Sequence, residues 1–402
     1  MEVRSVAQVV DCFGCGVCAT ICAKNAIKIE INLAGFYEPI LDTTKCIDCG
    51  LCAEVCAFLH DDLAVQNNPI SSYGAWSNNL MVRRRCSSGG VAYELGKHML
   101  NKGYKVCAVR YNPKEQRAEH YIATNEKEFM PSIGSKYIQS YTVAGFKAIN
   151  RREKYLVTGT PCQIDSFRRY INKFKIEDNF VLMDFFCHSV PSLLAWKKYL
   201  QIVEKKTGPI FYASWRNKYT GWHDSWAMAI DGYGDAIDCC NRVDSDGNYD
   251  VYNSESKHLY NSRFSKGDIF YKLFLGDYCC SPACQNNCKY KYNKSSADIR
   301  IGDFWGPTYA KNEDGVSSVV AFTHKGNEVL SHIDCTFEEH PFDIVAEGQM
   351  TKNAGKHFFA DMVSFWLKLS KTNDFIIKSV FMIDWLWRFP KRVVVKLKSL
   401  LK

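Results

Sequence analysis

At 402 residues, 47% of them apolar and 23% charged, the chain has the composition of a globular protein with room for one small and one large domain. Its formal net charge of +8 is mild. That balance suits acidic partners, nucleotide phosphates or an anionic surface, but no zinc-finger spacing, recognition-helix motif or basic–aromatic pattern accompanies it, so nucleic acid is excluded from the expected partners.

The opening residues, MEVRSVAQVV, lack a basic start leading into an apolar core, and no stretch is apolar enough to span a bilayer. The expected location is therefore cytoplasmic, where thiols stay reduced. Nineteen cysteines then point to metal or redox chemistry rather than disulfides.

Two runs carry eight of them. Cys12, Cys15, Cys18 and Cys22 follow C-x2-C-x2-C-x3-C, and Cys46, Cys49, Cys52 and Cys56 repeat it at an offset of 34. A C-x2-C-x2-C loop wraps three corners of an iron–sulfur cubane, and the fourth cysteine leads into a helix that ligates the other cluster. One [4Fe–4S] cluster is thus assigned to Cys12, Cys15, Cys18 and Cys56, and the second to Cys46, Cys49, Cys52 and Cys22. Zinc is the competing reading, but it favours paired C-x2-C sites with longer gaps. Gly14, Gly16 and Gly50 suit backbone drawn close around sulfur. Ala23 and Ala57 stand where bacterial ferredoxins usually carry proline. Between the runs, AIKIEINLAGFYEP reads as short strands joined by a turn. Residues 1–60 are accordingly expected to form an α+β ferredoxin-like two-cluster module.

Residues 61–85 are polar and turn-rich and read as a linker. From residue 86 to 370 a larger α/β domain with a mixed sheet is expected. GVAYELGKHMLNKG predicts an amphipathic helix ended by Gly103, and KVCAVRY and AEHYIAT predict a hairpin. KYLV and FVLMDFF read as strands running through GTPCQ and CHSVPS into helices. Ligands of such sheets sit beyond the carboxyl ends of strands, where Cys162, Cys187 and His188 fall. A further group, Cys279, Cys280, Cys284 and Cys288, precedes the strand-like ADIRIGDFWG. Spacing alone leaves these as ordinary thiols or as part of a composite site.

Six short stretches occur in one order: SSGGV (87–91), GSKYIQS (134–140), GTPCQI (159–164), CHSVPS (187–192), WRNKYTGW (215–222) and ADIRIGDFWG (297–306). Together they resemble the beta subunits of coenzyme F420-reducing hydrogenases and related dehydrogenases, many of which carry a fused ferredoxin module. The resemblance implies FAD, which exchanges hydride with a deazaflavin and single electrons with a cluster. It also implies a third [4Fe–4S] cluster on Cys162, Cys187, Cys284 and Cys288. The family's last two ligands are closer together, which leaves Cys279 or Cys280 as alternatives, and Ser189 replaces a common glycine.

For the flavin, Ser88, Gly89 and Gly90 precede a helix whose N-terminus suits phosphate. They read equally as a plain helix cap. Lys136, flanked by Ser135 and Tyr137, joins Arg216 and Lys218 as candidate cations, with a solvated surface as the bland alternative. No G-x-G-x-x-G opens a βαβ unit, so a Rossmann site is not expected. His188 reads as a catalytic proton donor or as a plainly hydrogen-bonded histidine, and Asp303 as a ribityl partner or a turn cap. The aromatics of WRNKYTGWHDSW read as core.

The resulting expectation is an iron–sulfur flavoprotein oxidoreductase served by a redox partner or low-potential donor and acting on a small-molecule substrate, with polysaccharide assembly as one setting. The alternatives are a non-catalytic electron-relay subunit and a homologue whose clusters are structural. Residues 371–402 read as a basic amphipathic tail. Beyond Pro390, Val393, Val394, Leu397, Leu400 and Leu401 oppose Lys391, Arg392, Lys396, Lys398 and Lys402. That pattern predicts either a docked helix or peripheral contact with the inner membrane face.

Overall fold

The two cysteine runs fold alike because each sets its backbone the same problem. In the computed structural model, which describes residues 5–234, 258–369 and 375–387, Gly14 and Gly16 take φ of 62° and 71°, and their counterparts Asp48 and Gly50 take 50° and 77°. These left-handed turns curl each loop back on its own sulfurs before the short helices Val17–Ile21 and Leu51–Glu54. Between the runs lies the expected hairpin: β1 (Ile27–Ile31) pairs antiparallel with β2 (Tyr37–Leu41), Ile27 opposite Leu41.

The larger domain is built on a nine-stranded mixed sheet. Its strands are β3 (Ser71–Ser77), β4 (Lys105–Asn112), β5 (Arg117–Ala123), β6 (Ser140–Tyr141), β7 (Tyr155–Thr158) and β8 (Phe180–Phe185), together with three later ones. A separate antiparallel sheet holds β9 (Ile210–Ser214), β10 (Ala227–Gly232) and β11 (Tyr260–Arg263). The main sheet is completed by β12 (Ile299–Asp303), β13 (Ser317–Ala321) and β14 (Cys335–Glu339), in the order β14-β3-β13-β12-β8-β7-β4-β5-β6. Strands β12, β8, β7 and β4 run parallel. The predicted hairpin is β4–β5, and the predicted helix is Val91–Asn101, followed by Gly103 at φ 80°.

The expected linker is the main correction. Its residues Ser71–Ser77 form β3, an interior strand hydrogen-bonded to β13 on one side and β14 on the other, and Leu80–Arg85 are helical. The sequence SSYGAWS looks turn-like because it is small and polar, and that smallness is what the packing demands. A Cβ on Gly74 would come within 2.7 Å of the Tyr309 ring. Ser72, Ala75 and Ser77 are buried as well. The large domain therefore begins near residue 71 rather than at Cys86.

The N-terminal module is set into this domain rather than hung from it. Gln139 donates to Phe13 O at 3.1 Å and accepts from Tyr37 N–H at 3.0 Å. Thr142 Oγ1 donates to Cys15 O at 2.8 Å. Ile27, Ile29 and Tyr37 share a core with Trp196, Tyr199 and Trp215.

Candidate functional site

Parallel strands place their carboxyl ends along one edge, and β12, β8 and β7 are consecutive neighbours there. Each delivers a residue singled out by sequence. Beyond β7, Thr160 caps the helix Pro161–Phe174 through a capping box with Gln163, which sets Cys162 in the first turn. Beyond β8 come Cys187 and His188. Asp303 ends β12.

Cys284, within the short helix Pro282–Asn286, and Cys288, in the loop just after it, reach the same place. The sulfurs are close enough to act on one another: burial, then the charge of Cys284 and Cys187, raises the Cys162 thiol. Burial lifts Cys187 to about 12, Lys291 pulls the other way, and Cys284 and Cys288 add to the rise. Lys291 Nζ also donates to the carbonyls of Cys187 and His188, both at 2.7 Å, pinning that loop. Cys279 and Cys280 are not among the groups acting on Cys162 or Cys187, but Cys280 Sγ lies beside His188, 3.4 Å from Asp277 Oδ1. Cys279 is buried with Ala195 and Leu273, and Cys280 Sγ accepts from Ser189 Oγ at 2.9 Å.

Cys12, Cys15, Cys18 and Cys56 line one small cavity. This is the crossed set expected from the sequence, three cysteines from one run and the fourth from the other. Burial first, and then the neighbouring cysteines, pushes Cys12 and Cys56 up to about 12. Amide N–H groups point at sulfur: Gly14 N to Cys12 Sγ and Ala26 N to Cys22 Sγ, each 3.3 Å. In the second set Cys49 is exposed and Cys52 buried. Phe13 and Ala57 pack with Cys162, Cys288, Ala283 and Tyr290 in one cluster, joining the first cysteine set to the one at the sheet edge. Ser166 Oγ lies 3.2 Å from Cys15 Sγ and accepts Ala57 N–H at 3.0 Å.

The residues expected to face a flavin also converge. Ser135 N–H donates to Ser87 Oγ at 2.8 Å. Lys218 Nζ reaches Arg83 O, Ser88 O and Asp314 O. Lys136 Nζ reaches the carbonyls of Pro131, Ser132, Ile133 and Gly134. Desolvation pulls both lysines down to about 7, and the Cys86 thiol beside them opposes it.

Arg216 differs from the expectation of a free phosphate partner. Its Nη1 and Nη2 grip Asp303 at 2.9 and 3.0 Å, and its remaining donors go to Ser225, Tyr137 and Ser87 O, so the buried guanidinium is fully engaged. Asp303 is likewise taken, accepting from Trp222 Nε1 at 2.8 Å. Gly89 serves packing: a Cβ there would lie 2.3 Å from Ala75 O on β3, and Gly90, at φ 91°, caps the helix Val91–Asn101. Trp215 and Trp222 are buried core residues, as expected.

His188 Nε2 lies 2.9 Å from Asp277 Oδ1, and its ring packs edge-on against Phe274 at 5.3 Å. Phe274 in turn contacts Tyr137 at 5.9 Å. Asp277 and Cys280 thus join His188, the ligand atoms of all three lying within 4.8 Å of one another, and Asp277 carried no motif to reveal it. Burial would raise the Asp277 carboxyl, but the His188 hydrogen bond and charge outweigh it and hold the group below its usual range.

Family comparison bears directly on this arrangement. Residues 72–146 match the N-terminal model, and residues 152–342 the C-terminal model, of the coenzyme F420 hydrogenase/dehydrogenase beta subunit. The chain belongs to that family. A 4Fe–4S dicluster domain model matches residues 11–59, so this beta-subunit homologue carries a fused ferredoxin-type domain and has the role of an iron–sulfur oxidoreductase in electron transfer. Among solved structures it is similar to a chain of the F420-reducing [NiFe] hydrogenase complex from Methanosarcina barkeri, at 18% identity and a TM-score of 0.44, over 77% of this chain and 90% of that one. No curated protein matches it. Among the described residues no helix is long and apolar enough to cross a membrane.

Proposed function

We propose that this protein is an iron–sulfur flavoprotein oxidoreductase that passes single electrons from two [4Fe–4S] clusters in its N-terminal module, through a third cluster, to FAD and on to a small substrate as hydride. The observation that carries this reading is the packing of Phe13 and Ala57 against Cys162 and Cys288. It makes the crossed set Cys12, Cys15, Cys18 and Cys56 the immediate neighbour of Cys162, Cys187, Cys284 and Cys288.

The donor sets fit cubanes. The thiols are free of disulfides, and backbone amides aim at sulfur where a cluster's charge needs them. Binding requires thiolates, so loading these sites expels the protons that burial now holds there. Electrons enter at the second set, whose Cys49 and neighbouring Ile47 are exposed to a partner redox protein or low-potential donor.

Bound FAD supplies the conversion between one- and two-electron chemistry. The protein's share is positioning. Ser88, Gly89 and Gly90, with Ser135, Lys136, Tyr137 and Lys218, wall the cofactor site. Lys136 and Lys218 are its available cations, since each can exchange carbonyl partners for phosphate oxygens. Arg216, being saturated, holds Tyr137 and Asp303 in place. His188, oriented by Asp277, is the group that moves a proton beside the reacting ring. A deazaflavin is the substrate class the family name supports, and a sugar-linked acceptor is the competing one.

The test is the cofactor content of anaerobically purified protein. Three cubanes require about twelve iron and twelve sulfide per chain. Cys162→Ser should lose about one third of both, with bound flavin retained. Zinc in place of iron, or wild-type protein that takes up no FAD on soaking, would sink the proposal.

A further inference from the structure

The helix over 375–387 carries large apolar residues on both faces, with only Lys378 and Ser379 between those of the outer one. Ile377 and Val380 are almost fully buried and pack with Val363, Trp366 and Leu367 of the helix Ala360–Lys368. At about 100° per residue, Phe375, Met382 and Leu386 fall on the opposite side. They are 75%, 58% and 56% exposed. Ile383 and Trp387 flank that stripe on one side and Trp385 on the other, all exposed. A water-facing helix ordinarily puts charged and polar groups there. The apolar surface extends to the neighbouring segment, where exposed Phe358 stacks on the Trp387 ring at 6.4 Å and exposed Phe365 and Met362 share the outer side of their helix.

Charge around the patch is mainly positive. Lys272 and Lys378 line a surface groove with Phe381, Met382 and Trp385. Of the acids here, Asp384 turns inward onto Tyr278 and His357, and Asp361 pairs with Lys356. From Trp387 the sequence runs on through Arg388, Lys391, Arg392, Lys396, Lys398 and Lys402 without an acid.

We propose that this face docks on an anionic lipid bilayer. Tryptophan and lysine are at home at headgroup depth, while phenylalanine, methionine and leucine reach the acyl boundary. Cations near an anionic leaflet add attraction that salt screens. A bilayer offers both an apolar phase and negative charge without demanding a matched shape, and this patch offers its complement.

Co-sedimentation of the full-length, iron-loaded protein with phosphatidylglycerol/phosphatidylcholine vesicles tests this. Wild type should pellet at low salt, bind pure phosphatidylcholine more weakly, and be partly released by salt. The triple variant Phe375→Ser, Met382→Ser, Leu386→Ser should bind at least about tenfold more weakly, having lost three inserted apolar side chains, while its iron content stays at the wild-type level. Lys272→Gln with Lys378→Gln should weaken binding to the anionic vesicles alone and guards against misfolding of the triple variant. Wild type that stays in the supernatant, or binding unchanged in both variants, overturns the proposal. So does a lipid-free dimer that the triple variant dissociates, since the face then belongs to a second copy of the chain.

Discussion

Asp184→Asn probes whether a buried ion pair holds the cysteine loop at the sheet edge. Asp184 on β8 and Arg300 on β12 are register partners, and both side chains are 0% exposed. Arg300 Nε and Nη2 each donate to the carboxylate at 2.7 Å. The same guanidinium donates to the carbonyls of Tyr290, Tyr292 and Lys294, the segment that follows Cys288 and carries Lys291. Neutralising Asp184 leaves a buried cation without its counter-charge, which costs about 3–5 kcal/mol. Against a typical total of about 5–15 kcal/mol that is a large share. At an unfolding entropy of about 2.1 cal/mol/K per residue a chain of this length shifts by about 1.2 °C per kcal/mol, so the midpoint of thermal unfolding should fall by roughly 4–6 °C. Arg300→Met should cost more, because the carbonyls at 290, 292 and 294 also lose their donor. The assay is a fixed-rate thermal scan of anaerobic holoprotein with visible absorbance recorded alongside, since unfolding of a cofactor-loaded chain is governed by rate as well as equilibrium. A drop of under about 2 °C for Asp184→Asn, with all iron retained, would refute the reasoning.

Three further outcomes are expected. Cys56→Ser should remove the cluster held by Cys12, Cys15 and Cys18, and leave the reduced-state EPR signal of the other run. Loss confined to the cluster of Cys46, Cys49 and Cys52 would overturn the crossed assignment. His120, buried against Phe146 and hydrogen-bonded to Thr158 O at 2.9 Å, has its pKa pushed from 6.5 to about 4 by burial. The unfolded chain therefore binds more protons between those values, so this contribution is complete above about pH 6.5 and fades as pH falls towards 4. Between pH 7 and 5 it removes about 2 kcal/mol, and His120→Gln should flatten that dependence in thermal scans. Gly89→Ala drives a Cβ to 2.3 Å from a strand carbonyl and should destabilise by about 1–3 kcal/mol in denaturant titration, the cost of overpacking; a neutral result would mean the loop can shift away from β3.

What the sequence reveals depends on how local the constraint is. The double run is legible because both its ligands and its left-handed turns recur at one spacing. The gathering of Cys56 with Cys12, Cys15 and Cys18 around one cavity agrees with the crossed pattern expected of such loops. Cys162 and Cys187 are visible as strand-end residues, but their approach to Cys284 and Cys288 is set by the β12–β8–β7 order, which no short window encodes. Strand β3 is hidden because packing against Tyr309 selects small residues, and small residues mimic a turn. The carbonyl contacts of Lys136 and Lys218 are hidden too, since backbone carbonyls carry no residue-type signature. Of the basic tail read at 371–402, residues 371–374 and 388–402 lie outside the described residues.

The Gln139 bridge to Phe13 and Tyr37 has a kinetic consequence. A ferredoxin module on a free tether must find its acceptor by diffusion, and its transfer rate then follows ionic strength and viscosity. Here the cysteines of the proposed donor and acceptor share one packed interior, so transfer between clusters held there would be set by fixed distance alone. Salt and viscosity should act only on the step before it, when an outside donor meets the exposed loop at Ile47 and Cys49.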